Sequence, residues 1–265
     1  MNVSIFQITH VSLPLDRPCS AFKVLGTGPS ASVTKPDFKN IFIDTVGDNL
    51  TAYKEAFAEL TAHYWVWKNF RTSDYIGFFH YRRYFNFAKP VSHAPKILFE
   101  GSENCINSFC TQNQIDHLER IMKFSDIVTI RNEYNENPLD IRWPTHHPPK
   151  IWALAKNICM RYAFYKNNGF AEFIEHNRRL TWYPMFVTSR PIFENICSAL
   201  FPILFEVYNQ VAARPSEFDL PSKNYKYLAY LAEPLLMFIY SALRLRTFEA
   251  QVFVSEDDRV PTSLV

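Results

Sequence analysis

The polar residues with the clearest chemistry follow directly behind one apolar stretch. Residues 75–79 (YIGFF) have the length and β-rich composition of a buried strand, and residues 80–84 (HYRRY) come next. In α/β proteins, ligands bind beyond the carboxyl ends of the strands. A guanidinium group presents a rigid fork of donors that matches a phosphate or a carboxylate. The pattern predicts an anion site at Arg82 and Arg83, unless each arginine pairs with a nearby acid or lies in solvent.

A second set of polar residues follows another short apolar segment, residues 40–43 (NIFI). Asp44 and Asp48 could hold a metal together with His80, because carboxylates and imidazoles suit hard or borderline cations. These three are the only metal ligands that the sequence suggests, and whether Mn²⁺ or Mg²⁺ is needed stays open. The alternative is that Asp48 and Asn49 cap the helix that follows them.

Strand-like and helix-like segments alternate along the chain, which predicts a mainly parallel sheet covered by helices on both faces. The predicted strands are residues 3–8, 40–43, 75–79, 126–130, 183–187 and 250–254. The predicted helices are residues 51–69, 115–124, 150–168, 189–213 and 226–246, with one more ending near residue 179. The segments between residues 10 and 40, 88 and 115, and 130 and 150 are predicted to be loops, the last of them a lid over a ligand.

Composition narrows the class of protein further. A chain of 265 residues with 48% hydrophobic residues is expected to form one domain with a sizeable core. A net charge of +2 argues against a nucleic-acid partner. Five cysteines without metal-type spacing favour reduced thiols in the cytoplasm, and we see no signal peptide. The most apolar segment, residues 227–243, is short for a membrane span and contains Glu233 and Pro234, so a soluble protein is expected.

Six sequence blocks, taken in order, resemble a known family. They are residues 8–10 (ITH), 44–50 (DTVGDNL), 59–69 (ELTAHYWVWKN), 80–85 (HYRRYF), 183–186 (YPMF) and 231–236 (LAEPLL). The chain is similar through them to the bacterial capsule and lipopolysaccharide glycosyltransferases first catalogued as a domain of unknown function. It departs from that pattern at Pro184, where the family usually has Asn, and at Pro234, where the family usually has Arg.

The resemblance implies an α/β, GT-A-like (Rossmann-like) single domain over residues 1–265. Its nucleotide-binding part would be about residues 1–130, and its acceptor and donor-sugar part about residues 131–265. The implied reaction moves a sugar, such as galactose or galactofuranose, from a UDP-linked donor to a growing capsule, O-antigen or lipooligosaccharide glycan. The implied place is the cytoplasm, at the inner face of the inner membrane with peripheral contact to it. The alternative is a non-catalytic module that binds a nucleotide sugar or a carbohydrate.

The resemblance also suggests roles for single residues on the donor side. Thr9 and His10 end the first strand, where nucleotide-sugar folds hold the nucleobase and ribose. Asp44, Asp48 and Asn49 would also contact the nucleotide. Arg82 and Arg83, with His80, would offset the charge of the departing diphosphate in place of a metal. His10 could instead be a hydrogen-bonded core imidazole.

On the sugar side, Glu59 and His63 lie one helical turn apart and could bind sugar hydroxyls. Tyr183 and Met185, from the fifth block, would contact the donor or acceptor sugar. Glu233 is the lone charge inside an apolar helix, and it is our candidate for the base that takes the acceptor hydroxyl proton. Its alternative is a structural salt bridge to an arginine.

Overall fold

The computed structural model describes residues 1–10, 17–28, 40–88, 96–99, 103–222 and 225–255, and every structural statement below refers to these residues. The strands are β1 (Val3–Thr9), β2 (Phe22–Gly26), β3 (Ile41–Ile43), β4 (Tyr75–His80), β5 (Arg83–Phe85), β6 (Lys96–Phe99), β7 (Ile127–Ile130), β8 (Glu133–Tyr134), β9 (Arg179–Leu180), β10 (Phe186–Ser189), β11 (Thr247–Ala250) and β12 (Val252–Ser255). The helices are α1 (Lys54–Phe57), α2 (Leu60–Asn69), α3 (Glu103–Ser108), α4 (Gln112–Met122), α5 (Leu139–His146), α6 (Pro149–Cys159), α7 (Ala163–Asn167), α8 (Phe170–His176), α9 (Arg190–Ala213) and α10 (Tyr227–Ala242). Short 3₁₀ turns span Thr51–Tyr53 and Pro215–Glu217.

One large sheet holds ten of the described strands, and its main path runs β11-β7-β10-β4-β1-β2-β3. β10 is antiparallel to both of its neighbours, and the other pairs on this path are parallel. β12 joins the sheet through β5 and β6, while β8 and β9 form a separate two-stranded antiparallel sheet. The prediction of an α/β fold with a mainly parallel sheet is therefore confirmed. The carboxyl ends of β1, β2, β3 and β4 meet at one edge.

Neighbouring residues of the central strands face opposite sides of the sheet, as the two-residue period of a strand requires. Phe6 and Phe78 belong to a core that helices α1, α2 and α5–α10 cover. Ile5 and Phe79, one position away, belong to a second core with α4 and β12. All seven residues of β1 are buried, which is typical of a strand covered on both faces.

Helix α9 is long and apolar enough to cross a bilayer by length and composition alone. In the structure 44% of its most apolar 18-residue stretch is buried inside the fold, and α9 packs against α2, α6 and α10. Its packing is therefore that of a core helix.

Helix α10 continues through a proline in its interior. Pro234 has no N–H group, so the carbonyl of Tyr230, four residues earlier, loses its usual donor. The indole Nε1–H of Trp143 supplies a replacement at 3.2 Å from that carbonyl oxygen. The side chain of Trp143 thereby joins α5 to the first turn of α10.

The structure corrects three predictions about local structure. The segment between residues 10 and 40 contains β2, whose five residues lie between β1 and β3 despite the glycines and prolines around them. The predicted loop between residues 130 and 150 contains α5, in which Pro144 is tolerated and Trp143 is 3% exposed. The predicted loop between residues 88 and 115 contains β6 and α3, while residues 89–95 and 100–102 lie outside the described residues.

Two predicted helices are each broken in the structure. The first stops at Ala58, whose φ of 47° is in the left-handed region, and resumes as α2 at Leu60. The break separates α1 from α2, and Glu59 is the residue that immediately precedes α2. The second, over residues 150–168, is interrupted between α6 and α7.

Candidate active site

Charged and titratable side chains cluster at the edge of the sheet where β1, β2 and β4 end, and we call the space between them the crevice. These side chains come from the turn after β4, the segment around α1 and α2, and the start of α10. These side chains are near enough to change one another's pKa values. Lys54 and Lys226 lower the pKa of His10, and Arg82 and Arg83 lower that of His80. Glu59 raises the pKa of Glu233. The crevice therefore combines several cations with two acids.

The turn that carries the arginines is held by a buried polar network. β4 ends at His80, and the chain reverses so that His80 pairs with Arg83 of β5. The carbonyl of Tyr81 accepts hydrogen bonds from the hydroxyl of Tyr84 at 2.9 Å and from Nε2 of Gln7 at 3.3 Å. Gln7 in turn accepts a bond from Nε of Arg17 at 3.1 Å. In a continuous strand, Arg82 and Arg83 would point to opposite faces of the sheet. Because β4 ends at His80, this alternation does not apply to them.

Arg82 and Arg83 are 8% and 6% exposed, and neither makes an ion pair with any acid in the described part of the chain. The Nε atoms of both have no hydrogen-bond partner. Arg83 donates to Nδ1 of His80 at 3.0 Å and lies 3.8 Å above the ring of Tyr183. Since a buried charge without a counter-charge is unfavourable, this arrangement favours binding of an anion.

The two histidines of the crevice are kept neutral. Burial lowers the pKa of His80 well below 6.5, and the charges of Arg83, His10, Arg82 and Lys226 lower it further. His80 accepts a bond at Nδ1, so Nε2 carries the ring proton and can donate. His10 stands exposed at the rim with its ring 4.7 Å from that of Tyr81. Partial burial, then Lys54 and Lys226, lower its pKa.

Asp44 is fully buried and stabilises the edge of the crevice. Its carboxylate accepts bonds from the backbone N–H of Gly28 at 2.9 Å and from the hydroxyl of Thr61 at 2.8 Å. Gly28 has a φ of +88°, and a Cβ there would lie 2.6 Å from Cδ of Lys54. Lys54 passes over this glycine to the carbonyl and hydroxyl oxygens of Thr27. The carboxylate of Asp44 therefore holds the backbone at Gly28, over which Lys54 passes, and its contact with a nucleotide stays a prediction.

Asp48 and Asn49 turn away from the crevice. The carboxylate of Asp48 accepts the hydroxyl of Tyr64 at 3.1 Å, and its backbone is bonded to Asn69 at the far end of α2. Asn49 accepts the backbone N–H of Thr51 at 3.2 Å, which is the capping role that the sequence left open. No three His, Cys, Asp or Glu residues in the described part of the chain could hold a metal ion. The suggested set of Asp44, Asp48 and His80 is therefore not assembled.

Glu233 is 6% exposed and faces the crevice from α10. Its Oε1 accepts the backbone N–H of Tyr183 at 3.0 Å, and Tyr183 has a φ of 66°. Burial raises the pKa of Glu233 to about 8, Glu59 raises it too, and the Tyr183 N–H, Arg142 and Arg83 lower it. Its carboxyl group is therefore mostly protonated at neutral pH. The predicted salt bridge of Glu233 to an arginine is not found among the described residues.

Glu59 and His63, predicted as a sugar-binding pair, differ in their positions. Glu59 is half-buried at the residue before α2, and its carboxylate makes no ion pair with any described residue. His63 is buried, stacks on Phe78 at 3.8 Å, and places Nε2 at 2.7 Å from the carbonyl of Pro184. Burial lowers the pKa of His63 to about 4. His63 therefore joins α2 to the segment around Pro184, and its contact with a sugar stays a prediction.

Met185 lies in the second core at 3% exposure, and its contact with a sugar stays a prediction. It follows Pro184 immediately. Thr9 is 3% exposed, and its backbone carbonyl accepts the N–H of Thr27 at 2.8 Å. Thr9 therefore joins β1 to the loop after β2 at the crevice floor.

Three crevice residues were missed by the sequence analysis: Lys54, Lys226 and Tyr230. Lys226 acts on His10, Lys54 and His80, and the hydroxyl of Tyr230 lies near Glu59 and Glu233. Burial lowers the pKa of Lys54 to about 8, Lys226 lowers it too, and Asp44 and Glu59 raise it. Each of the three is a single residue outside any motif. Their only signal was a position at the start of a predicted helix.

Comparisons with known proteins identify the family and a similar fold. A family model described as "Domain of unknown function (DUF4422)" matches residues 5–243. The apo structure of WbbM, a bifunctional glycosyltransferase, superposes with a TM-score of 0.77 at 21% sequence identity over 97% of this chain. The chain spans 46% of the length of that protein, and at this identity the likeness shows the fold alone. No curated protein sequence matches this chain.

Proposed function

The chain belongs to the DUF4422 family, and from this premise and its crevice we propose that it is a glycosyltransferase that uses a nucleotide diphosphate sugar. One observation carries the proposal. Lys54, Lys226, Arg82 and Arg83 converge at the carboxyl edge of the sheet, and none forms an ion pair in the described part of the chain. The fold of a glycosyltransferase on this chain supports the same reaction class.

The cations suit the chemistry of sugar transfer. When the bond between the sugar and the diphosphate breaks, negative charge develops on the leaving diphosphate, and fixed cations stabilise that charge. Arg82 and Arg83 sit on a rigid turn, and the Nε2–H of His80 is a further donor. The described crevice offers guanidinium and ammonium groups where a metal site would need several carboxylates. We therefore assign the charge-stabilising role to these side chains.

Glu233 is the proposed base for the acceptor hydroxyl. Its raised pKa makes its ionised form a stronger base than an ordinary carboxylate. Tyr183 fixes the carboxyl group through its backbone N–H. The carboxylate of Glu59 and the hydroxyl of Tyr230 are proposed to bind sugar hydroxyls beside it.

We further propose a UDP-linked donor, such as UDP-galactose or UDP-galactofuranose, and a lipid-linked capsule, O-antigen or lipooligosaccharide glycan as the acceptor. This reaction would take place in the cytoplasm, at the inner face of the inner membrane. These finer assignments rest on the resemblance of the six sequence blocks, including HYRRYF at residues 80–85.

Thermal unfolding with a panel of nucleotide diphosphates tests the proposal. We expect UDP at 100 times its Kd to stabilise the protein by about 2.7 kcal/mol, with a chelator present. ADP and GDP at equal concentration serve as controls. Stabilisation that requires Mn²⁺ would contradict the arginine assignment, and the absence of stabilisation by any nucleotide would contradict the whole proposal.

A second measurement separates an enzyme from a binding module. Release of UDP from a UDP-sugar, with and without acceptor, reports turnover directly. Glu233→Gln keeps the acceptor for the Tyr183 N–H, so UDP should still stabilise this variant while turnover falls by about 100-fold or more. A wild-type protein that binds UDP-sugars without any turnover would be a binding module.

A further inference from the structure

A shallow depression lies between α5 and the segment that contains Leu180 and Trp182. It is lined by Leu139, Arg142, Trp143 and His146 of α5, by His147, and by Leu180 and Trp182. Trp182 is the chain neighbour of Tyr183, whose backbone N–H binds Glu233. The depression is therefore next to the proposed base, whose carboxyl group is bonded to Tyr183.

Arg142 is the unusual residue of this depression. It is 7% exposed, and two of its three nitrogen atoms, Nε and Nη1, have no hydrogen-bond partner. Its third nitrogen, Nη2, donates to Oε2 of Glu133 at 3.0 Å. Its guanidinium group lies 4.9 Å from the ring centre of Trp182. A buried guanidinium with two unpaired donors leaves much of its binding capacity unused.

Glu133 already shows which chemical group fits there. Its side chain is 50% exposed, and Glu133 lies on β8, one strand of the two-stranded β8–β9 sheet. The same oxygen, Oε2, accepts from Nη2 of Arg142 and from the indole Nε1–H of Trp182. One carboxylate is thus held by a guanidinium and an indole donor. An exposed carboxylate on a two-residue strand can be exchanged for another at small cost.

We propose that this depression binds a carboxylate-bearing sugar, a uronic acid residue of the acceptor glycan. The ligand carboxylate replaces Glu133 and pairs with the free donors of Arg142, and the sugar ring lies against Trp182. The position makes the ligand an acceptor because the charge of Arg142 reaches Glu233, the proposed base. That last step rests on the proposed function, whereas preference for a uronic acid does not.

Binding of monosaccharides to the full chain tests the proposal without any need for turnover. Tryptophan fluorescence is suitable because Trp143 and Trp182 line the depression. Methyl glucuronide and methyl galacturonide are compared with methyl glucoside and methyl galactoside. We expect at least about 10-fold tighter binding of the uronides, since a bidentate guanidinium–carboxylate pair is a strong, oriented interaction.

Three variants locate the binding. Arg142→Gln should remove the preference for uronides. Glu133→Gln removes the carboxylate that now occupies Arg142 and should strengthen uronide binding by about 3-fold. Arg161→Gln is the matched control, because Arg161 is an exposed arginine paired with Glu206, and it should change nothing.

Each outcome decides the proposal. Equal binding of uronides and neutral sugars would overturn it, as would tighter binding of glucose 6-phosphate than of any uronide. Unchanged preference in Arg142→Gln would overturn it too, provided that UDP still stabilises that variant. If UDP does not stabilise the wild-type protein, the proposed function is contradicted. The uronide proposal is not affected by that result, because uronide preference is measured separately.

Discussion

The arginines of the outer surface and those of the crevice are treated in opposite ways. Arg246 is 64% exposed, and its Nη2 lies 2.8 Å from Oδ1 of Asp126 at the amino-terminal edge of the sheet. Arg71, Arg161 and Arg214 are also more than half exposed, and each has an acid beside it. Arg82 and Arg83 are almost completely buried, yet neither forms an ion pair among the described residues.

The exposed arginines have ion-pair partners although they need them least, and the buried Arg82 and Arg83 lack them among the described residues although they need them most. An exposed charge needs a partner least, because water and salt already screen it, and such pairs contribute at most about 1 kcal/mol. A buried charge needs a partner most. Asp44 obeys that rule, since it is fully buried and holds Gly28 and Thr61 by hydrogen bonds. Arg82 and Arg83 break it, which is expected where the counter-charge is a ligand.

The largest effect expected from this contrast is on activity at Arg82. Arg82→Met should lower kcat/KM by about 100-fold or more, because a cation that stabilises the leaving group is lost. The free protein should be as stable as the wild type, because Arg82 has no ion pair to lose among the described residues. Steady-state kinetics and urea unfolding measure the two effects.

Arg246→Met is the matched control for that variant. It removes an exposed pair, so kcat/KM should stay within about 2-fold and the urea midpoint should stay close to that of the wild type. If Arg82→Met unfolds the protein, Arg82 is a structural residue with a partner, and the contrast between the two regions is lost.

A buried charge whose hydrogen bonds are satisfied within the protein should affect stability strongly when it is removed. Asp44→Ala should destabilise the protein by about 3 kcal/mol, because the N–H of Gly28 and the hydroxyl of Thr61 lose their acceptor in a closed space. Asp48→Ala, at an exposed acid, should cost less than about 1 kcal/mol. Urea midpoints of the two variants compare them. Equal costs would show that Asp44 is not the buried support that the structure indicates.

The strand and turn that carry the proposed anion site were predictable because their signal is local. Residues 75–85 contain a buried strand and its polar end in one continuous segment, and β4 and β5 fall there. Their surroundings were not predictable in the same way. Lys54 reaches the crevice because Gly28 leaves room for it and because Asp44 supports that glycine, and these residues are far apart in sequence.

Sequence chemistry also assigned roles to residues that the fold uses differently. Asp44 has the residue type of a ligand group, but its carboxylate accepts a hydrogen bond from Thr61. Thr61 lies on α2, after a break in the helix at Ala58, and helical periodicity does not reveal that break. Met185 was placed in the site by its sequence block, and the alternation of residues along the chain puts it in the core.

Glu233 offers a smaller test, through pH. Its pKa is raised from 4.5 to about 8 in the folded state, so between these values the folded protein holds a proton that the unfolded chain has lost. Stability should therefore fall as pH rises from about 5 to about 8, with a slope of about 1.4 kcal/mol per pH unit at most. Glu233→Gln should show a flatter profile by urea unfolding. Parallel profiles would mean that Glu233 is ionised in the folded protein.

The smallest effect concerns a backbone group that obeys the pairing rule. Pro234 deprives the carbonyl of Tyr230 of its helical donor, and the indole of Trp143 replaces that donor at 3.2 Å. Trp143→Phe keeps an aromatic ring but leaves the carbonyl unpaired, so it should cost about 1 kcal/mol. Pro234→Ala restores a backbone donor, and the cost of Trp143→Phe should then fall towards zero in the double variant. A double-mutant cycle by urea unfolding measures this coupling, and strict additivity would show that the indole bond does not compensate for the proline.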